Sequence, residues 1–223
     1  MNDDWLAVRN GRIDSNFNGI ASNASGEWYC EYGQVQFAAS GLVKSENDAF
    51  DGWYYVRNGC VQKGQETVVQ NSSGWWYIGT DGKVDFHKNT VAPNEYGWWA
   101  VRNGAVDFQL NGIASNESGD WYCRGGQVDF GAAGVLESET EGFSGWYYIQ
   151  NGCVQKGQET VKQNSNGWWY IGTDGKVDFG FSGIASNENG TWYIENGKVN
   201  FTYSGTYEDE NGRIYDIKSG NVA

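Results

Sequence analysis

The side chains able to do chemistry here are mostly aromatic. The 223 residues include 12 Trp, 14 Tyr and 10 Phe, but a single His, His87. One His argues against a Ser-His-Asp triad and a multi-His metal site. Carboxylates are plentiful, yet no spacing singles out a pair suited to glycoside hydrolysis. No Asp-rich loop has calcium-binding spacing. The chain is therefore expected to be no enzyme and to need no metal and no cofactor.

Two further sets of residues are specific enough to name. Trp53, Trp75, Trp98, Trp146 and Trp168 each precede a second aromatic or apolar residue. Tyr55, Tyr77, Tyr148 and Tyr170 follow two positions after four of them. Repeated Trp-Tyr pairs on a wet face would serve as stacking platforms or interface anchors, or would pack on a neighbouring element. The four cysteines repeat their own spacing: Cys30 and Cys60 in one half, Cys123 and Cys153 in the other. An even count with duplicated spacing suggests the disulfides Cys30–Cys60 and Cys123–Cys153, with free thiols or a metal as the alternatives.

The elements that carry these residues are repeats. Residues 19–111 and 112–204 are two copies of one block, roughly three-fifths identical, and each holds four variants of a unit of about 22 residues. Residues 1–18 read as a partial first repeat and 205–223 as a degenerate capping repeat. Asn2–Gly11 resembles the middle of a unit (compare Trp98–Gly104), so the chain reads as a segment of a longer array with Met1 added. Repeats of this period stack along one axis, each touching its neighbours.

Gly183–Ser204 shows the unit clearly. Asn196-Gly197 between β-rich runs predicts a type I′ hairpin. The expected partners are Glu195 with Lys198, Ile194 with Val199, Tyr193 with Asn200 and Trp192 with Phe201. One face then carries Trp192, Ile194, Val199 and Phe201 toward a core, and the other carries Tyr193, Glu195, Lys198 and Asn200. By the same alternation Trp28, Trp76, Trp99, Trp121 and Trp169 are core, and Trp53, Trp75, Trp98, Trp146 and Trp168 face out. Gly183–Gly190 is expected to be a short strand or loop. The second unit of each block, 41–66 and 134–159, runs about four residues longer and contains Phe50 or Phe143. The expected fold is all-β: a β-solenoid of stacked β-hairpins with a duplicated four-hairpin block.

Gly-x-Trp-Tyr, a Gly turn, Val-x-Phe and a following Gly resemble the cell-wall-binding repeat superfamily. That group includes choline-binding repeats, glucan-binding repeats and clostridial toxin repeats. The spelling from Gly74-Trp75-Trp76-Tyr77-Ile78 to Lys83-Val84-Asp85-Phe86 is most similar to arrays on surface proteins of gut anaerobic Firmicutes. The resemblance covers nearly the whole chain. It implies β-hairpins wound into a solenoid, with ligands held by aromatic residues near unit junctions. It also implies an extracellular place, on a bacterial surface or secreted. Choline-binding repeats carry a further Gly-Trp after the hairpin. Here that position is mostly Gly-Ile-Ala or Thr-Val, so the resemblance carries over no choline site.

The expected partner is accordingly a glycan or cell-wall polymer, held by the outward Trp and Tyr residues. An adhesin for a host protein such as immunoglobulin and a structural spacer are the alternatives. A net charge of −13 disfavours nucleic acid and anionic membranes. No apolar run is long enough for membrane insertion, and no signal peptide opens the chain.

Overall fold

The computed structural model describes residues 5–223 and is all-β, with no helix among them. The reading of Met1 as an addition lies outside the described residues. The chain divides into two compact units, one ending at Phe108 and one beginning at Gln109.

Most repeats are three-strand meanders; after Gly74–Ile78 and Gly167–Ile171 the third strand shrinks to one bridge, Ile78 with Val84 and Ile171 with Val177. In the second unit, Gly183–Asn187 pairs antiparallel with Gly190–Glu195, placing Ile184 opposite Tyr193 and Ala185 opposite Trp192. Gly190–Glu195 then turns into Lys198–Val199, with Ile194 opposite Val199 and Glu195 opposite Lys198. Asn196 and Gly197 have φ of 52° and 77°, the two positive values a type I′ turn requires. The first unit repeats this pattern. There Thr90–Asn94 pairs with Gly97–Arg102, which turns at Asn103-Gly104 into Ala105–Val106.

Of the two alternatives for Gly183–Gly190 the short strand holds: Gly183–Asn187 is a strand of five residues, and it enters a tight turn in which the Asn187 side chain accepts the Asn189 amide at 2.9 Å. One pairing is corrected. The ladder behind the Asn-Gly turn is only two pairs long. Past Val199 the Asn200 amide still bonds the Tyr193 carbonyl at 3.0 Å, but the chain then turns back on itself. Phe201 is therefore not opposite Trp192. It stands at the surface, 44% exposed, with its ring edge-on to that indole.

No repeat is complete alone. The amide three residues after the first Gly of a central strand donates to the turn glycine of the next repeat. Tyr77 donates to Gly104 at 2.8 Å and Tyr29 to Gly59 at 2.8 Å. In the second unit Tyr170 donates to Gly197 and Tyr193 to Gly220, both at 2.8 Å. A single residue of the third strand also pairs with the preceding Trp: Ala105 with Trp76 and Lys198 with Trp169. The last repeat keeps this scheme, since Asn221 pairs with Trp192 through a Ser219-Gly220 turn.

The core is aliphatic. Ile20, Val56 and Ile78 in the first unit and Ile113, Ile149, Val161, Ile171 and Ile194 in the second are fully buried. The longer second hairpins fold their extra phenylalanine inward. Phe50 packs beside Ile20 and Tyr54, and Phe143 beside Ile113 and Tyr147.

Turn glycines serve two purposes, and substitution separates them. Gly11 and Gly104 have nearly the same φ, 76° and 74°. A Cβ at Gly11 meets nothing within 4 Å, whereas one at Gly104 would lie 2.3 Å from the Asp85 carbonyl oxygen. Gly11→Ala should cost roughly 1 kcal/mol from backbone strain alone. Gly104→Ala should cost roughly 2–3 kcal/mol, because the contact with the preceding repeat must open as well. Urea unfolding followed by Trp fluorescence measures both; equal losses would mean the contact between repeats is not felt.

Candidate binding site at the repeat junctions

Aromatic side chains gather where one repeat meets the next. The leading Trp of one central strand lies against the second Trp and the phenylalanine of the following repeat. Trp75 packs on Trp99 and Phe108 with centroids 5.0 and 5.8 Å away. Trp168 packs on Trp192 and Phe201 at 5.1 and 5.9 Å. Trp5 does the same with Trp28 and Phe37 at 5.0 and 5.8 Å. Most of these contacts are edge-to-face, the arrangement the ring quadrupole favours.

This geometry revises the two aromatic classes. Trp28, Trp76, Trp99, Trp121, Trp169 and Trp192, expected in the core, are half-buried at the junctions. Trp53, Trp75, Trp98, Trp146 and Trp168, expected to face out, are also half-buried. Strand alternation sorts residues into two faces, but the next repeat covers part of both. Tyr77 and Tyr170, expected on the wet face, are 2% and 5% exposed. The Lys88 ammonium lies 5.5 Å over the Tyr77 ring, and Phe181, the equivalent residue, stacks on Tyr170 at 3.7 Å. Tyr55 and Tyr148 remain half-buried, and Arg57 donates to the Tyr55 hydroxyl at 2.8 Å.

An asparagine orients five of the six second indoles, Trp28 being the exception, and the sequence reading overlooked it. The Asn94 carboxamide oxygen accepts Trp99 Nε1 at 2.9 Å and the Tyr96 amide at 2.9 Å. Asn71 does this for Trp76, Asn116 for Trp121, Asn164 for Trp169 and Asn187 for Trp192. The signal was available: an Asn stands five residues before each of these Trp. Each of these five indoles is thereby fixed by its N–H edge.

One junction is open. Leu42, Trp53, Trp76, Val84 and Phe86, with Asn71 and Ser73, line a niche of about 140 Å³ in the first unit. The Asn71 oxygen is already engaged by Trp76, Ser73 and Gly74. No carboxylate lines the niche. Of the expected site residues it contains only Trp53, which it brings together with Trp76, a residue expected in the core. The remainder lie at other junctions: Trp75 in a closed triad, Trp98 opposite Pro93, and Trp146 6.2 Å from Trp169.

The predicted disulfides do not form. Cys30, Cys60, Cys123 and Cys153 are all free thiols. Cys60 is in register with Trp28, and Cys30 with Val35; Cys153 is likewise opposite Trp121. Cys30 and Cys60 are thus diagonal neighbours, about 7–8 Å apart between Cα atoms, beyond ordinary disulfide reach. Burial pushes the Cys123 thiol up to about 12 and raises Cys30 as well. His87, in the loop after Phe86, is exposed.

Two measurements follow. Intact mass after alkylation of unreduced, unfolded protein should show four modified thiols. In the folded protein at pH 8, Cys30 and Cys123 should resist alkylation, since the reactive thiolate is suppressed. Rapid labelling of either would contradict their burial. Alkali is the second probe. Burial first, then a hydrogen bond and the charge of Glu31 or Glu159, pushes the Tyr29 and Tyr170 phenols up to about 12. A pKa raised on folding gives stability that is complete below the ordinary value of 10.0 and fades as pH climbs toward about 12. The urea midpoint should therefore fall between pH 10 and 12, and Tyr170→Phe should flatten that fall.

A family model described as a choline-binding repeat matches residues 16–36, 40–62, 66–85, 88–107, 111–129, 144–155 and 180–200. A comparison with curated proteins returned no match. Among solved structures, choline binding protein F from Streptococcus pneumoniae is 17% identical, with 89% of this chain and 70% of that one covered and a TM-score of 0.37. CbpJ from Streptococcus pneumoniae TIGR4 is 14% identical, with 100% and 84% covered and a TM-score of 0.38. An alternansucrase in complex with isomaltononaose is 15% identical, with 99% and 18% covered and a TM-score of 0.36. Matched repeat by repeat over more than half its length, the chain belongs to the choline-binding repeat family.

Proposed function

We propose that this chain is a non-catalytic module that holds a bacterial cell-wall or cell-surface polymer at its aromatic junctions, outside the cell. The observation that carries the reading is the open niche of Leu42, Trp53, Trp76, Val84 and Phe86. Its walls are indole and phenyl rings, and the indole N–H of Trp76 is turned aside to Asn71. A box of ring faces attracts a quaternary ammonium group through the ring quadrupole, with about 0.5–2 kcal/mol from each contact. A pendant choline on a cell-wall polymer has that chemistry, and the family's description agrees with it. A bare sugar would need more hydrogen-bonding partners than Asn71 and Ser73 offer. The net charge of −13 also favours a cationic group.

The repeats are read as one solenoid, consisting of a partial repeat 1–18, blocks 19–111 and 112–204, and a capping repeat 205–223. The support is the same stitch within both units: a central-strand amide bonded to the next turn glycine. Weak sites along one polymer reinforce each other through effective concentration.

The test is a choline titration followed by Trp fluorescence, beside retention on choline-decorated and choline-free cell-wall polymer. The wild type should saturate and be retained on the decorated polymer only. Trp53→Ala should weaken choline by about tenfold or more, roughly one or two lost cation–π contacts. Trp75→Ala, in a closed triad, should leave choline affinity within about twofold. Equal retention on both polymers, or no loss in Trp53→Ala, would reject the niche as the site.

A further inference from the structure

A second cavity lies at the other end of the sequence, within the second unit. It measures about 530 Å³, and its walls include Phe181, Ile184, Tyr207, Glu210 and Tyr215. Beside it a bond is missing. In the longer first-unit hairpin, Ser45 Oγ accepts the Ile20 amide at 3.0 Å and Asn47 Nδ2 donates to the Ile20 carbonyl at 2.9 Å. These two side chains of the next repeat cap the outward N–H and C=O of a first-strand apolar residue. The pattern recurs. Ser138 caps the Ile113 amide at 3.1 Å, Asn164 the Val135 carbonyl at 3.4 Å and Asn187 the Val161 carbonyl at 2.9 Å.

Ile184 holds the same register position, opposite Tyr193 as Ile20 is opposite Tyr29. Its N–H and C=O therefore point outward too. The next repeat offers Asp209 where Ser45 and Ser138 stand. The Ser at this place accepts the strand amide, but the Asp209 oxygens are turned into their own loop. Asp209 accepts the Arg213 and Asn211 amides at 2.9 and 3.0 Å and the Tyr215 hydroxyl at 3.1 Å. No side chain among the described residues caps Ile184. It is half-buried, whereas Ile20, Val68, Ile113, Val135 and Val161 are buried. The cavity opens beside this uncapped residue.

The vacancy has a defined chemistry: an acceptor for the Ile184 N–H, a donor for its C=O, and an aromatic wall alongside. We infer that this cavity binds an N-acetylated amino sugar, whose acetamido group replaces the Asn and Ser cap at Ile184 while the ring lies against Tyr207 and Tyr215. The acetamido oxygen accepts from the Ile184 amide and its N–H donates to the Ile184 carbonyl. Glu210 faces the cavity with no ion pair or hydrogen bond among the described residues, and is free for a sugar hydroxyl. With Asp209 and Glu210 both acidic, sugar acids are disfavoured. This site is separate from the Trp53 niche and does not depend on it.

The test is an amide NMR titration with N,N′-diacetylchitobiose and, in parallel, cellobiose, which has the same linkage and no acetamido group. Chitobiose should shift the Ile184, Tyr207 and Asn211 amides saturably, and cellobiose should bind at least about tenfold more weakly. Asp209→Ser restores a Ser45-type cap and should lower chitobiose affinity by at least about tenfold; Tyr207→Ala should do so by removing the wall. Far-UV circular dichroism and the choline titration report whether either variant remains folded, and Trp53→Ala should leave chitobiose affinity unchanged. Equal binding of the two sugars, shifts confined to the Trp junctions, or unchanged affinity in both folded variants would overturn the assignment.

Discussion

The structure depends on one backbone hydrogen bond, from a central-strand amide to the carbonyl of the next repeat's turn glycine. Gly104 receives it from Tyr77, Gly197 from Tyr170 and Gly220 from Tyr193. An unmade backbone bond costs about as much as a lost hydrogen bond once the group is buried, so each repeat is unfinished until another follows. The glycine is required twice, by its positive φ and by the carbonyl of the preceding repeat pressed against it. At Gly197 a Cβ would sit 2.4 Å from the Asp178 oxygen. Turn chemistry, strand pairing and repeat packing thus meet at one residue.

The aromatic junctions follow from this stitch. Bonding the Tyr77 amide to Gly104 brings Trp75 and Trp76 alongside the next repeat, and Trp75 meets Trp99. An Asn five residues ahead holds the indole edge of Trp76, Trp99, Trp121, Trp169 and Trp192 at the junction. Aliphatic Ile and Val fill the core, and the rings form its border. A border of half-buried rings suits binding better than a buried aromatic core does, because each ring keeps a face near solvent without losing its support.

The sequence showed the repeat, the Asn-Gly turns and the choice of aromatic residues, because each rests on local chemistry. Asn196-Gly197 has the predicted φ values, and Ile194 pairs with Val199 as the alternation requires. It did not show which of two faces is wet, because that depends on contacts about one repeat away. Tyr77 has the spacing of an outward residue, but Lys88 from the following segment covers it. The cysteines misled for a related reason. Duplicated spacing placed Cys30 and Cys60 in neighbouring repeats, while the two-residue register offset that separates them belongs to the ladder. The Asn pins were visible in the sequence as an Asn five residues before a Trp, and they also close the turn between the two strands, as Asn94 does for the Tyr96 amide.

Cavities arise where the repeat rule is broken. Among the positions where the two halves differ are Leu42 against Val135, both in a first strand, and Lys88 against Phe181, in a loop. Leu42 borders the open niche, while Val135 is buried beside Ile171 and Val177, with Trp146 and Trp169 packed over the group. At Ile184 the change is from Ser to Asp209, whose oxygens accept from Asn211, Arg213 and Tyr215 of their own loop and leave the strand residue uncapped. In both places the backbone scheme is intact and a single side chain is of the wrong size or is hydrogen-bonded elsewhere. A repeat fold can therefore gain a ligand site without a new element. It needs one substitution at a position that the following repeat would otherwise fill, with the stitch left in place to keep the walls rigid.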